Sequence, residues 1–519
     1  MKKLLVLIFA LLLVTGGATF FINKKRADTV REYIASLPGS LTAETVKADL
    51  FGSAIEIHGI KGTLTYVSDA PVEIDLAFLR IEGFNTGAGR TQGQEKLADA
   101  LYYTGFTMRM PQGAGGEPLA YSEISSETSE IHGLWGDVSA LAAAAESSFA
   151  DDKFAEALLS LRFGSSVAKN STFKGQIPLQ EEALGLEAVE DMETVAYTAT
   201  IDLCETEPYS FTDMGRIMLR GMAIVLDGKT RIDIEEMGLD SAKMAGELYK
   251  ALLRGDITDP AKTPEEVLAH YAQGYKLDNL SAKKLRVTLP TGESMSAGLL
   301  ACSMDIDDAT FRFVFGSDAV SFPAPFWVAV TDASQEYVDL LQNRDISFSS
   351  SHDLHFKTGE NNNIIATYDE TVQVDELLSL KDSFALSAGP STGPLKALPS
   401  DYTSLALTKA DVEFTDKGMI FLAYSLLGLE ASKYSDGSFT PEAAGNFLRA
   451  QQIGELKALP LPEGSPVAAL RDNLAALLEK PGTLKATLDA EQPVQLLPML
   501  LAPQLVFGLP IKSSYTPAE

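Results

Sequence analysis

Apolar and polar residues alternate along much of this chain with the two-residue period of a β-strand. In VEIDLAFLRIEGF, Val72, Ile74, Leu76 and Phe78 alternate with polar residues or Ala77, and the phase then slips at Leu79 to Ile81. The slip predicts a bulge or burial on both faces. The same alternation marks AIEIHGIKGTLTY, VAYTATIDL, MAIVLDGKTRIDI, ATFRFVFG and IIATYDETVQV, and LTAETVKADLF is also strand-like. Asp227-Gly228 is a hairpin turn signal inside MAIVLDGKTRIDI. Gly359 to Asn363 reads as a hairpin tip between DLHFKTG and IIATYDE.

Other stretches space their apolar residues three and four apart, as a helix does. EKLADALYYTGFTMRM from Glu95, DKFAEALLSLRFGSS from Asp152 and PEEVLAHYAQGYKLDNLSAKKLRVTL from Pro264 each read as a short helix followed by a strand. So do SQEYVDLLQNRDISFSSSHDLHF from Ser334 and ALRDNLAALLEKPGTLKATL from Ala469. Thr29 to Leu37 reads as a further short helix. The spacing is too uneven for a solenoid. The expected fold is α+β: long antiparallel strands with short packed helices in duplicated helix-strand modules. Gln112 to Pro118 and Ser387 to Pro394 are Gly- and Pro-rich breaks. Ser122 to Phe149, rich in Ser, Glu and Ala, reads as a loop and an Ala-rich helix in a flexible insertion. The expected division is an anchor over 1–27, a β-rich region over 28–150, a middle α+β region over 151–330 and a C-terminal one over 331–519.

One segment follows neither period. Lys2 and Lys3 precede an uncharged run from Leu4 to Ile22, closed by Lys24, Lys25 and Arg26. A helix of that length crosses roughly 30 Å of hydrocarbon. It is expected to be a retained signal anchor and single transmembrane helix. A cleaved secretory signal with a cut after Ala18 is the alternative. Basic flanks on both sides leave orientation open. A second apolar stretch, Pro493 to Leu509, is broken by Pro498 and Pro503 and reads as a helix or strand packed on the core.

The formal charge is −29, from 42 basic and 71 acidic residues. Five of the basic ones lie in the first 26 residues, so the remainder carries 37 against 71, a net −34. Nucleic acid is therefore not an expected partner, since its binding depends on Lys and Arg at phosphates. The acidity itself reads as a solubility device. Cys204 and Cys302 are the two cysteines, too few for a disulfide scaffold or metal cluster. They are read either as a pair closing a long loop in an oxidising compartment or as two buried free thiols.

The search for chemistry finds fragments. Ser-x-x-Lys occurs at Ser166/Lys169, Ser171/Lys174 and Ser281/Lys284, and Lys357-Thr358-Gly359 completes a superficial acylase signature. A serine nucleophile of that kind must open a buried helix, whereas Ser171 lies in strand-like sequence and Ser281 follows a Gly-Tyr break. Gly292-Glu-Ser294-Met-Ser296 fails the nucleophile-elbow pattern at its last position, and no phosphate-binding glycine loop occurs. His352-Asp353-Leu354-His355 is the one histidine cluster. On a strand its imidazoles point to opposite faces. Asp305, Asp307 and Asp308 lack the glycine and distal glutamate of a calcium loop. Trp327 reads as core. No residue is nominated as catalytic, cofactor-binding or metal-ligating, and the chain is expected not to be an enzyme.

The anchor followed by VKADLFGSAIEIHGIKGTL and VEIDLAFLRIEGF resembles the start of bacterial AsmA-like and YdgA-like envelope proteins. LLQNRDISFSSSHDLHF, IIATYDETVQVDELLSLKDSFALS, ADVEFTDKGMIFLAYSLLGL and EKPGTLKATLDAEQPVQLLPML resemble a module of membrane-anchored bacterial proteins. The resemblance implies a periplasm-facing, β-rich, non-enzymatic protein of the inner membrane, concerned with envelope maintenance or the handling of lipid. A protein-assembly scaffold is the alternative, and an unrecognised hydrolase the third. An apolar groove would favour lipid, and an exposed apolar patch the scaffold.

Overall fold

The computed structural model describes residues 31, 34–35, 39–48, 54–64, 72–83, 93–110, 122–145, 152–178, 194–254, 262–326, 339, 345–433, 440–501 and 509–518. Among them strand makes up 59% and helix 23%. The α+β architecture expected above is therefore corrected to a strand-dominated one, in which every described pairing is antiparallel. The signal anchor, the Gln112–Pro118 break and Trp327 lie outside the described residues. Among the described residues no helix is long and apolar enough to cross a membrane.

The chain divides into two compact units, Met1–Thr263 with Leu277–Ala282, and Pro264–Lys276 with Lys283–Glu519. In the first, β1 (Thr42–Ala48), β2 (Ala54–Leu64), β3 (Val72–Glu82), β4 (Gln94–Arg109) and β5 (Glu123–Asp137) pair in chain order. The helices α1 (Val138–Ala145) and α2 (Asp152–Ser160) and the short β6 (Arg162–Phe163) follow. The order then resumes with β7 (Ser166–Pro178) and β8 (Thr194–Thr206). After the short β9 (Tyr209–Ser210) and β10 (Asp213–Met214) come β11 (Ile217–Leu226) and β12 (Thr230–Met244). Asp227 (φ +48) and Gly228 (φ +66) make the β11–β12 hairpin turn. Helix α3 (Gly246–Arg254) closes the series. Ile57, Leu79, Ile81, Met108 and Leu134 of the strands are fully buried with Leu158 of α2 and Leu161 beyond it. Each such side chain contributes about 1.5–3 kcal/mol by leaving water.

Two expectations for this region are wrong for an identifiable reason. The segment from Glu95 is not a helix but most of β4. Its ladder to β5 shifts register between Lys96 and Ala98, so Leu97, Ala98, Ala100 and Leu101 are all buried, a spacing that imitates one helical face. Glu123 to Asp137 is not an insertion loop but β5, in which Ser126 and Ser129 are buried.

The second unit contains α4 (Pro264–Tyr271), β13 (Tyr275–Thr288, shared with the first unit as divided above) and β14 (Ser294–Ile306). Next come β15 (Thr310–Phe322), β16 (Ile346–Thr358), β17 (Ile364–Val374), β18 (Leu378–Ala388) and β19 (Ala406–Asp416). Helices α5 (Met419–Lys433), α6 (Pro441–Ala458) and α7 (Pro466–Glu479) precede β20 (Gly482–Gln495), α8 (Leu496–Leu501) and β21 (Ile511–Pro517). From β14 to β21 each strand pairs with the next. Duplicated helix-strand modules therefore do not organise the chain; consecutive antiparallel strands do. Asn361 and Asn362, both at positive φ, form the tip between β16 and β17.

A crease crosses the first unit's sheet. The ladders omit Glu44 with Gly59, Gly59 with Ala77, Ala77 with Gly105 and Gly105 with Glu127. They go on to omit Glu127 with Asn170, Asn170 with Asp202, Asp202 with Gly221 and Gly221 with Glu235. Every second strand places a left-handed residue in this line: Gly59 (+62°), Gly105 (+63°), Asn170 (+50°) and Gly221 (+63°). Side chains three apart on an unbroken strand face opposite ways. Across the crease they face the same way, as with buried Leu76 and Leu79 in β3. The phase slip read in VEIDLAFLRIEGF is this crease.

Candidate functional site

A cavity of about 390 Å3 lies against the crease of the first unit. Its lining uses residues three apart on consecutive strands: Tyr103 and Phe106, Ser126 and Ser129, Ala168 and Ser171, Ile201 and Cys204. Leu79, Ile124, Phe173 and Leu219 extend the apolar wall. The volume is within the roughly 300–1,000 Å3 of small-molecule sites.

The hydroxyls in this wall are occupied locally. Ser126 Oγ lies 3.2 Å from the Thr128 carbonyl and 3.3 Å from that of Lys169, both beside the gap in the ladder. Ser171 Oγ donates to Ser126 Oγ at 3.4 Å. Ser166 Oγ and Thr206 Oγ1 are 2.7 Å apart. Tyr209 stacks on Phe163 with ring centroids 4.7 Å apart.

Burial pushes the Tyr103 phenol up against an opposing hydrogen bond from Ser129. Burial also raises Tyr209, with smaller contributions from Tyr103 and Cys204 and an opposing bond from Ser166. The Cys204 thiol is pushed up to about 11 by burial, with Glu205 adding to it. These groups stay protonated at ordinary pH, and among the described lining residues there is no carboxylate, imidazole, ammonium or guanidinium. An uncharged, mostly apolar molecule is what such a wall accommodates.

The second unit has a cleft of about 850 Å3, lined by Asp375, Glu376, Lys417, Glu442 and Arg449 among others. The Arg449 guanidinium lies 3.9 Å from the Phe421 ring centroid and donates to Asn446. Charges of both signs are mixed along this cleft, so no single ligand chemistry is selected.

The fragments of chemistry read from the sequence are not brought together. Ser166 and Ser171 line the cavity, whereas Lys169 is exposed and Lys174 pairs with Glu123 at 2.8 Å. Ser281 and Lys284 stand on β13, a strand and not a helix. The Thr358 hydroxyl donates to the Lys396 carbonyl. His352 points to the face of β16 shared with Phe315 and Tyr368; Asp353, on the other face, pairs with Arg312 at 2.6 Å. Asp308 pairs with Lys396 at 2.6 Å, and Asp307 accepts from the Ala309 amide. Among the described residues no group of three His, Cys, Asp or Glu side chains is placed to hold a metal ion. Cys204 and Cys302 are both free thiols.

The cavity residues carried one signal in the sequence. Ser126 and Ser129 of EISSETSEIHG and Ser171 of SSVAKNSTFKG are buried, the first two in a stretch read from the sequence as an insertion loop. No protein-family model, curated protein or solved structure matches the chain.

Proposed function

We propose that this is a membrane-anchored protein of the bacterial envelope that binds the hydrophobic chain of a lipid-like ligand, without catalysing a reaction on it. The observation that carries this reading is the cavity on the crease, walled by apolar side chains and by serine and threonine hydroxyls engaged with one another or with the backbone. The apolar run from Leu4 to Ile22 supports a membrane tether, and the net −34 beyond it argues against nucleic acid. The bulk of the chain is placed in the periplasm on the strength of the resemblance and its acidic, β-rich composition.

The test is displacement of Nile red, an uncharged apolar dye, from the purified full chain by single-chain lipids. Ala168 lies in the cavity wall, and Ala168→Trp fills it. Dye and lipid binding should fall at least tenfold in a variant that keeps wild-type circular dichroism. Equal binding by the two proteins would place the ligand elsewhere and sink the proposal.

A scaffold role has one observation in its favour. Leu427 of α5 and Phe447 of α6 are 55% and 61% exposed. Exposed apolar side chains of that size suit a protein contact.

A further inference from the structure

The proposed cavity has a chemical polarity of its own, and the inference drawn from it rests on the lipid-binding reading above. Tyr103, Tyr209 and Cys204 all line the cavity, and Tyr209 lies within electrostatic reach of both others. Ser129 lies beside the Tyr103 phenol and Ser166 beside that of Tyr209, and a phenol oxygen that accepts from a serine still has its own O–H to donate. Leu79, Phe106, Ile124 and Phe173 make the wall apolar, and its other polar side chains, among them Ser125, Ser126, Ser171 and Thr206, are uncharged hydroxyls.

We infer that the ligand of this cavity is a single-chain ester or other amphiphile with an uncharged, hydrogen-bond-accepting head, held by the hydroxyls of Tyr103 and Tyr209. Among the described lining residues a carboxylate head would find donors but no cation, beside two phenols and a thiol on an apolar wall. An ammonium head would find no carboxylate among those residues. Either charge would enter without a partner, which is expensive in a low-dielectric site. An ester carbonyl accepts two hydrogen bonds and brings no charge. The volume sets the chain. At about 30 Å3 per water-sized group, 390 Å3 holds about a dozen methylenes, so longer chains gain nothing from their extra carbons.

Nile red displacement from the full chain, at about pH 8 so that a fatty acid is ionised, tests this with methyl dodecanoate, dodecanoate, dodecylamine and dodecane. Methyl dodecanoate is expected to bind at least tenfold more tightly than either charged ligand. Extending the ester to eighteen carbons should not improve binding. Tyr103→Phe and Tyr209→Phe should each weaken the ester about fivefold and leave dodecane unchanged, because each removes one neutral hydrogen bond and no apolar wall. A variant that is merely loosened loses ester and dodecane alike, and such a loss counts against the inference. It is also overturned if dodecanoate or dodecylamine equals the ester in the wild type. If dodecane displaces the dye but the ester has no advantage over the charged ligands, the lipid-binding reading stands and this one fails. If none of the four displaces it, both fail.

Discussion

Gly105 and Ala77 face each other across the β3–β4 ladder with no room for another methyl group between them. A Cβ built on Gly105 falls 2.8 Å from the Ala77 Cβ, and Gly105 has φ +63°. A left-handed backbone costs an alanine about 1–2 kcal/mol. The crowding adds to that, because the neighbour is itself fixed in a paired strand. Gly105→Ala is therefore expected to lower unfolding free energy by about 2–3 kcal/mol. Gly228 provides the comparison, with φ +66° but nothing within 4 Å of its built Cβ. Gly228→Ala should cost about 1 kcal/mol. Urea titration of both variants checks the ordering. Equal losses would show that the contact with Ala77 adds no strain.

Glu123 joins three strands by charge. Its carboxylate lies 2.8 Å from Lys174 and 2.9 Å from Arg109, which, with the Lys174 bond foremost, hold it below the usual carboxylate range. A carboxyl depressed by folding stabilises the native state above its unfolded value of about 4.3, and that contribution is lost as pH falls through the folded value. Both basic partners are about half exposed, so solvent screening limits the gain. Glu123→Gln should cost about 0.5–1 kcal/mol near neutral pH, and less in about 1 M salt. In strong acid the variant and the wild type should converge. A difference that persists in acid would point to packing and not charge.

Cys204 reports on the cavity. A thiol raised to about 11 has a small thiolate fraction at pH 8, on the order of a hundredfold below that of an ordinary thiol near 8.5. Alkylation by iodoacetamide in the native protein should be slower by at least that factor than in urea. Methyl dodecanoate in the cavity should slow it further, since Cys204 lines the wall. Mass spectrometry of the Cys204 peptide measures both rates. Reaction at the unfolded rate would mean that the thiol is not held as described.

The strands were legible where a single phase governs them, and even the crease left a mark, since the inward series of β3 passes from Leu76 to Leu79. Reading failed where two phases overlap. In β4 the register shift beside Lys96 buries Leu97, Ala98, Ala100 and Leu101 together, and a period of two is locally indistinguishable from one of 3.6. The cavity was not legible for a different reason. It depends on Ser126 lying opposite Ser171, 45 residues later, and on Tyr103 and Tyr209 converging. No local period encodes such register. What the sequence does show there is serine at positions that face inward, and low complexity masked it.

The last relationship concerns two acids on neighbouring strands. Glu370 of β17 lies opposite Asp382 of β18, and His352 of β16 lies opposite Glu370 with Nδ1 3.2 Å from its carboxylate. Phe315 and Val412 flank this row on β15 and β19, Cys302 of β14 continues it beyond Phe315, and Tyr368 lies 3.1 Å from His352 on the same face; Asp369 acts from the other side. Burial, then the neighbouring Glu370, raises the Asp382 carboxyl, and His352 opposes them. An acid raised by folding binds more protons in the native than in the unfolded state, so between its unfolded value of about 3.9 and its folded one stability falls as pH rises. Above that window the penalty is complete. Asp382→Asn removes the charge, and its amide can donate to Glu370. The variant should therefore melt higher than the wild type at neutral pH, and the gain should shrink to nothing below about pH 3.9. Scanning calorimetry across that range decides it. A lower melting temperature at neutral pH would mean that ionised Asp382 is stabilised by a partner and not strained by Glu370.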